Sequence, residues 1–335
     1  MAKQITIVDV AEGAGVSVAT VSRALRDLPH VSAGTRLRVR QVAEQLGYEP
    51  NPHASRLAAG RSGTIGVALP ILDTWFYSRI LAGIESILAD DQIDMHLVVV
   101  ADQSGRDHFV ETLPSLRKRV DGMLVVDIFM PESIWSDLDE GGLPVATIGV
   151  DTGRFDAVGI DNAAAAAGAV DHLLDLGHER IGFIGGAVGE LLEIESAEQR
   201  RKGMTMALAR RGLEPDPDLQ AAGGFTVEGG HEAMSALLAR RPTAVFCASD
   251  EMAIGAIQAV GEAGLKVPED VSVVGFDDQP VAAAVGLTTV RQPVSEQAAQ
   301  AAVMVLARVG DRSAPVVKVE MPTRFRCRGT SGPVT

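Results

Sequence analysis

Cysteine is nearly missing from this chain. Among 335 residues only Cys247 and Cys327 carry a thiol, which excludes a disulfide framework and any all-cysteine zinc site. Such sparing use fits a reducing, cytoplasmic compartment. No apolar run approaches the ~18–20 residues of a membrane span, and Met1 to Gln4 lead into no hydrophobic segment of the kind that begins a secretory signal. Catalytic signatures are missing as well. The glycine-rich stretch Gly182 to Gly189 lacks the G-x-G-x-x-G order, and there is no P-loop, no H-E-x-x-H and no G-x-S-x-G. No enzyme activity, cofactor or metal ligand is therefore expected. Low-complexity tracts and short repeats are also lacking. What remains is an ordinary globular composition, 46% hydrophobic and 22% charged, long enough for two or three domains.

A net charge of −14 argues at first against a nucleic-acid partner, but its distribution argues for one. Residues 1–62 hold eight Lys/Arg against five Asp/Glu, while the rest of the chain holds 22 against 39. A small basic head on a strongly acidic body suggests that the head alone meets phosphate. The head reads as short helices. Thr6 and Asp9 form a capping-box pattern before a helix over Ile7 to Ala14, ended by Gly15. Ser17 caps a second helix, Val18 to Leu25, and Ser32 a third, about Ala33 to Leu46, stopped by Gly47. The first two form a helix-turn-helix pattern. A short fourth helix is predicted with Asn51 as N-cap, Pro52 at its first position and Gly60 past its end.

From Thr64 the texture changes. Short β-branched runs, at Thr64–Leu69, His96–Val100, Met123–Val126, Val145–Ile148, Ile181–Ile184, Ala244–Ala248 and Val271–Val274, alternate with helical stretches. Those helices are predicted over Phe76–Leu88, Ala163–Leu176, Ser196–Arg211, Val227–Arg240 and Asp250–Ala263. Alternation of this kind means parallel βαβ units. There are too many strands for one small sheet, so two doubly wound lobes with a ligand cleft between them are expected.

The head, Ile7 to Arg23, closely resembles the DNA-binding head of the LacI/GalR family of bacterial repressors, as do Val31 to Arg36 and Leu46 to Pro52. The body agrees independently. Leu176-Gly-His-Glu-Arg-Ile181, Ala248-Ser-Asp-Glu-Met-Ala253 and Ser272-Val-Val-Gly-Phe-Asp-Asp278 look like family signatures in the family order. The likeness runs from about Ile5 to Arg328. It implies an all-α helix-turn-helix head at 1–50, a hinge helix and linker at 51–62, and a body of two Rossmann-like lobes of periplasmic-binding-protein type joined by three crossovers. The N-lobe would take 63–161 plus 291–321, and the C-lobe 162–290 plus 322–335.

On that pattern the second helix enters the major groove. Val18 and Ala19 can only touch thymine methyls; Thr20 and Ser22 stand beside them, and the resemblance gives Arg23 a guanine. Ser17, Thr20, His30, Ser32 and Thr35 are phosphate-contact candidates, because hydroxyls at helix N-termini suit anions. Asn51 to Ala59, including Ala54, resembles the family's hinge helix, and Leu57 matches the leucine that wedges into the minor groove. That helix is shorter than the ~12–15 residues needed for independence, so it is expected to form against its dimer mate on the operator.

In the body, Asp73, Trp75 and Phe76 follow the first strand, where aromatics can stack on a sugar or a base. Arg200 and Asp277 match the family's ligand-binding Arg and Asp, and Phe225 sits where the family often has a stacking aromatic. Asp127, Asp161 and Ser196 are further candidates at strand or loop ends, while Asp250 reads as a helix cap. The implied protein is a cytoplasmic homodimeric repressor on a near-palindromic operator, controlled by a small effector in the cleft, preferably a sugar. A purine co-repressor, control by a phosphoprotein partner, and a transport-type sugar-binding protein are the alternatives.

Overall fold

The computed structural model describes residues 5–48, 60–128, 130–186 and 194–334. Residues up to Gly63 form one compact unit and those from Thr64 a second.

In the head, three helices follow from three capping devices. Helix α1 (Ile7–Ala14) starts at the reciprocal Thr6–Asp9 box, with the Thr6 amide donating to Asp9 Oδ2 at 2.8 Å, and stops at Gly15 in the left-handed region. Helix α2 (Val18–Leu25) is capped by Ser17, whose Oγ accepts from the Thr20 amide at 3.2 Å. Helix α3 (Ala33–Leu46) repeats the device with Ser32 and Thr35 and ends at Gly47. The three helices close on Val10, Ala11, Ala14, Val21, Ala24, Val39 and Ala43. Each of the three valines contributes roughly 1.5–3 kcal/mol by leaving water.

The body contains two parallel sheets. The first has the order β11-β5-β4-β3-β1-β2 and is built from β1 (Thr64–Leu69), β2 (Asp94–Val99), β3 (Gly122–Val126), β4 (Val145–Ile148), β5 (Asp156–Gly159) and β11 (Lys318–Glu320). The second has the order β7-β6-β8-β9, from β6 (Ile181–Gly185), β7 (Gln220–Ala222), β8 (Ala244–Cys247) and β9 (Ser272–Val274). Strands β10 (Thr289–Arg291) and β12 (Arg324–Arg326) pair antiparallel. The chain passes from one sheet to the other after β5. It returns to place the helix Val294–Gly310 on the first sheet through Ala298, Ala301, Ala302 and Val305, and adds β11 there. A last crossing carries 327–334 back to the second lobe, where Val273 donates to the Thr330 carbonyl and Val334 to that of Leu176.

Several elements had no sequence forecast. The helix Gln103–Leu116 carries Pro114 in its last turn, which disguised its period, and Glu132–Glu140 is short and acidic. Strands β5, β7, β10, β11 and β12 have only three or four residues each. Strand β2 begins at Asp94, not at His96, and ends at Val99; as an edge strand it lacks the continuous apolar run of its neighbours. Every strand of the two parallel sheets points its C-terminal end toward one side of its sheet, and loops from those ends build the cleft. The helices Val227–Leu238 and Asp250–Glu262 behind it pack backbone to backbone: a Cβ on Gly255 would collide with the Val227 carbonyl, so only glycine fits.

Candidate functional site

The outer face of α2 carries Val18, Ala19 and Arg23, all exposed, while Val21 and Ala24 turn inward. An exposed valine and alanine at a helix N-terminus suit apolar contact with base edges. Among the described residues Arg23 has no ion-pair partner, unlike Arg36 and Arg40, which both hold Asp27 at 2.5–2.8 Å. Ser17 and Thr20 share a hydroxyl contact of 2.9 Å, as do Ser32 and Thr35, and both pairs sit at helix N-termini. His30 is exposed, in the left-handed region. The Ser22 hydroxyl is already engaged by Arg26 Nη2 at 2.7 Å, so a ligand would have to compete for it. Asn51, Ala54 and Leu57 lie outside the described residues.

In the body, a small cavity of about 20 Å³ lies between the lobes, lined by Thr74, Phe76, Tyr77, Asp127, Ser196, Arg200, Phe225, Ser249, Glu251 and Asp277. Arg200 is the one cation in this lining among the described residues. It lies on the helix Glu195–Arg210, donates from Nε to Asn162 Oδ1 at 2.9 Å and from Nη1 to the Ala248 carbonyl at 2.5 Å, and stacks 3.7 Å over the Phe276 ring. Its Nη1 stands 3.8 Å from Asp277 Oδ1. Asp277 also accepts from Gln292 Nε2 at 2.6 Å, and Gln297 in turn supports Gln292. Burial lifts the Asp277 carboxyl to about 7, against the opposing pull of Arg200.

Direct bonds tie the lobes together around this cavity. Asp127, at the end of β3, accepts from the Ser196 amide at 3.0 Å and its hydroxyl at 2.6 Å. Burial raises Asp127 to about 6 despite these donors. Ile128 and Ile194 form an antiparallel bridge beside it. Across the mouth, the Trp75 amide donates to Glu251 Oε1 at 3.1 Å. Burial raises the Glu251 carboxyl, and the Trp75 amide opposes that. Asp127, Phe225 and Asp277 all hold positive φ, at 50°, 59° and 119°. Three such non-glycine residues around one cavity, each costing ~1–3 kcal/mol, mark a site whose geometry is enforced by its surroundings.

Six sequence candidates, Phe76, Asp127, Ser196, Arg200, Phe225 and Asp277, thus meet in one lining. Three do not join them. Asp73 is exposed. The Trp75 side chain packs on the N-lobe core, leaving its amide at the cleft. Asp161 is exposed and caps the helix Asn162–Asp175 through the Ala164 amide at 2.8 Å. Asp250 is no cap: Ser249 accepts from Met252, while buried Asp250 accepts from the Gln279 amide and Thr289 Oγ1. Thr74, Tyr77, Ser249, Glu251, Asn162 and Gln292 were missed. The strand-end rule could have found the first four; nothing local signals Gln292, which arrives on the return crossing. A larger recess of about 320 Å³ lies beside Gly185 and Gly186.

Among the described residues no helix is long and apolar enough to cross a membrane. Residues 6–51 match the family of bacterial regulatory proteins, lacI family, and residues 170–331 match a periplasmic binding protein-like domain. The HTH-type transcriptional repressor CytR of Escherichia coli (strain K12) is 38% identical over 316 residues, covering 90% of this chain and 89% of that protein. The Lac repressor dimer bound to operator and the anti-inducer ONPF superposes with a TM-score of 0.84, at 28% identity over 98% of this chain and 100% of that one. A transcriptional regulator CelR–cellobiose complex superposes at 0.71, with 29% identity over 97% and 99%. With a helix-turn-helix head, a two-lobed α/β body and these likenesses across nearly its whole length, the chain belongs to the lacI family of bacterial regulatory proteins and is a DNA-binding transcriptional regulator.

Proposed function

We propose that this regulator is a cytoplasmic homodimeric repressor of a near-palindromic operator, and that a small hydroxylated effector, a sugar, binds the interlobe cleft and sets its operator affinity. The observation that carries the effector is the buried Arg200–Asp277 pair facing Phe225 in a cavity between lobes. An Arg and an Asp side by side can clamp a vicinal diol, with an aromatic against its C–H face. Three carboxylates, Asp127, Glu251 and Asp277, against one Arg favour hydrogen-bond donors over anions. The cellobiose bound by the CelR relative is consistent with a sugar. A dimer follows from the head, since one small helix-turn-helix reads a half-site only. A thermal-shift screen of neutral sugars and purine bases tests the cleft. A true effector at 100 times its Kd stabilises by roughly 2.7 kcal/mol, and a screen in which only purines act would replace the sugar by a planar ligand.

For the head, we assign base readout to Val18, Ala19 and Arg23, and phosphate contact to the Ser17, Thr20, Ser32 and Thr35 hydroxyls. Arg23→Ala should weaken operator binding by ~1–3 kcal/mol and relax the preference at one base position per half-site. A binding-site selection that recovers the same base at every position with the variant rules out that role.

A further inference from the structure

The helix Trp75–Leu88 starts at the cleft, and its first turn has no side-chain cap from its own N-cap residue. Thr74 precedes it in an extended conformation, and its carbonyl accepts from the Ser78 amide at 3.1 Å while its side chain makes no capping bond. Thr74 is only 6% exposed, and its Oγ1 is a buried hydroxyl with no partner among the described residues. The acceptor that reaches the turn comes from the opposite lobe, as Glu251 Oε1 on the Trp75 amide. A helix N-terminus is a ready anion site, because its free N–H groups and dipole both favour negative charge. Here that position is already held by a carboxylate. Glu251 is the second residue of Asp250–Glu262, the helix whose backbone is pressed against its neighbour at Gly255, so the carboxylate is presented from a fixed base.

Resting on the reading of this cleft as the effector site, we propose that Glu251 is a specificity-determining residue. It occupies the anion position at the helix N-terminus and so excludes phosphorylated ligands, leaving Thr74 Oγ1 as the partner of an uncharged ligand hydroxyl. A phosphate placed there would meet the Glu251 carboxylate head on, with Asp127 and Asp277 further along the same lining. A neutral hydroxyl can donate to Glu251 and bond Thr74 without that repulsion.

The test uses the full-length protein and five probes, inorganic phosphate, ribose, ribose 5-phosphate, glucose and glucose 6-phosphate, read by calorimetry and thermal shift. Glu251→Gln keeps the shape and removes the charge. It should bind inorganic phosphate roughly tenfold or more tightly than the parent. Thr74→Val should lose affinity for whichever neutral sugar binds, while still rejecting phosphate. Equal phosphate affinities in parent and Glu251→Gln overturn the proposal, as does a parent that prefers a phosphosugar to its neutral counterpart. In both cases a sugar response still leaves the cleft as the effector site. If no sugar binds, the effector reading fails, and the phosphate comparison alone still decides the role of Glu251. Should Glu251→Gln not fold, Glu251→Ser carries the same comparison.

Discussion

Arg200→Ala is expected to be the most damaging single change in the body. It should lower unfolding stability by about 3–5 kcal/mol and abolish the effector response. Arg200 is buried with Asp277 and is the one cation in the lining among the described residues, so truncation strands Asp277 and Asp127 and leaves the Asn162 amide oxygen and the Ala248 carbonyl without their donor. The Phe276 ring loses its stacked guanidinium as well. The stranded carboxylates can escape part of the cost by protonating, so the loss should shrink at pH 5.5. Urea unfolding at pH 7.5 and 5.5 measures both numbers, and operator binding with and without effector reads the function. A midpoint unmoved at pH 7.5 means that Arg200 does not balance these carboxylates. An effector response that survives means the clamp is misassigned, whatever the stability.

The second large effect is a reversed pH dependence at Asp127. Its carboxyl titrates near 6 in the folded chain against 3.8 when unperturbed, chiefly because burial disfavours the charge. The folded state therefore binds more protons than the unfolded state between those values, and stability falls as pH rises through that window. The full span is worth about 3 kcal/mol. The groups facing Asp127 set this balance. Ser196 and Arg200 pull its pKa down, Glu195 pushes it up, and buried Tyr77 lies close by. Asp277 is raised too and acts in the same direction. The partly buried His172 and the buried His178 have depressed values and oppose it, losing stability as pH falls below 6.5. Asp127→Asn isolates the effect. The difference in unfolding free energy between parent and variant should change by roughly 2.5 kcal/mol from pH 4 to pH 7.5, in favour of the parent at the acid end. A constant difference across that range would falsify the assignment.

The sequence was most legible where a signal is complete within a few residues. Thr6 with Asp9, Ser17, Ser32, Gly15 and Gly47 mark the three head helices, because a cap needs only a hydroxyl or carboxylate at one end and a left-handed glycine at the other. The buried strands β1, β3, β4, β6 and β8 were legible as continuous apolar runs, since a parallel strand covered on both faces tolerates nothing else. The strand-end rule then placed Asp127 near a cleft, while Phe225 and Asp277 came from the family resemblance.

What only the tertiary structure decided is which of the groups near those ends face one another. Asp73, Trp75 and Asp161 had the same local warrant as Asp127, yet exposure, core packing and a local cap took them elsewhere. Glu251 comes to the cleft from a helix of the other lobe, 176 residues from Trp75, and Gln292 from a crossover, 15 residues past Asp277. Composition determined the basic head, the acidic body and the absence of disulfides, because charge and cysteine are counted residue by residue. The Arg200–Asp277 pair and the Glu251 cap on Trp75 could not be counted that way. Each depends on two backbones brought within a few ångströms by packing that no short window of sequence contains.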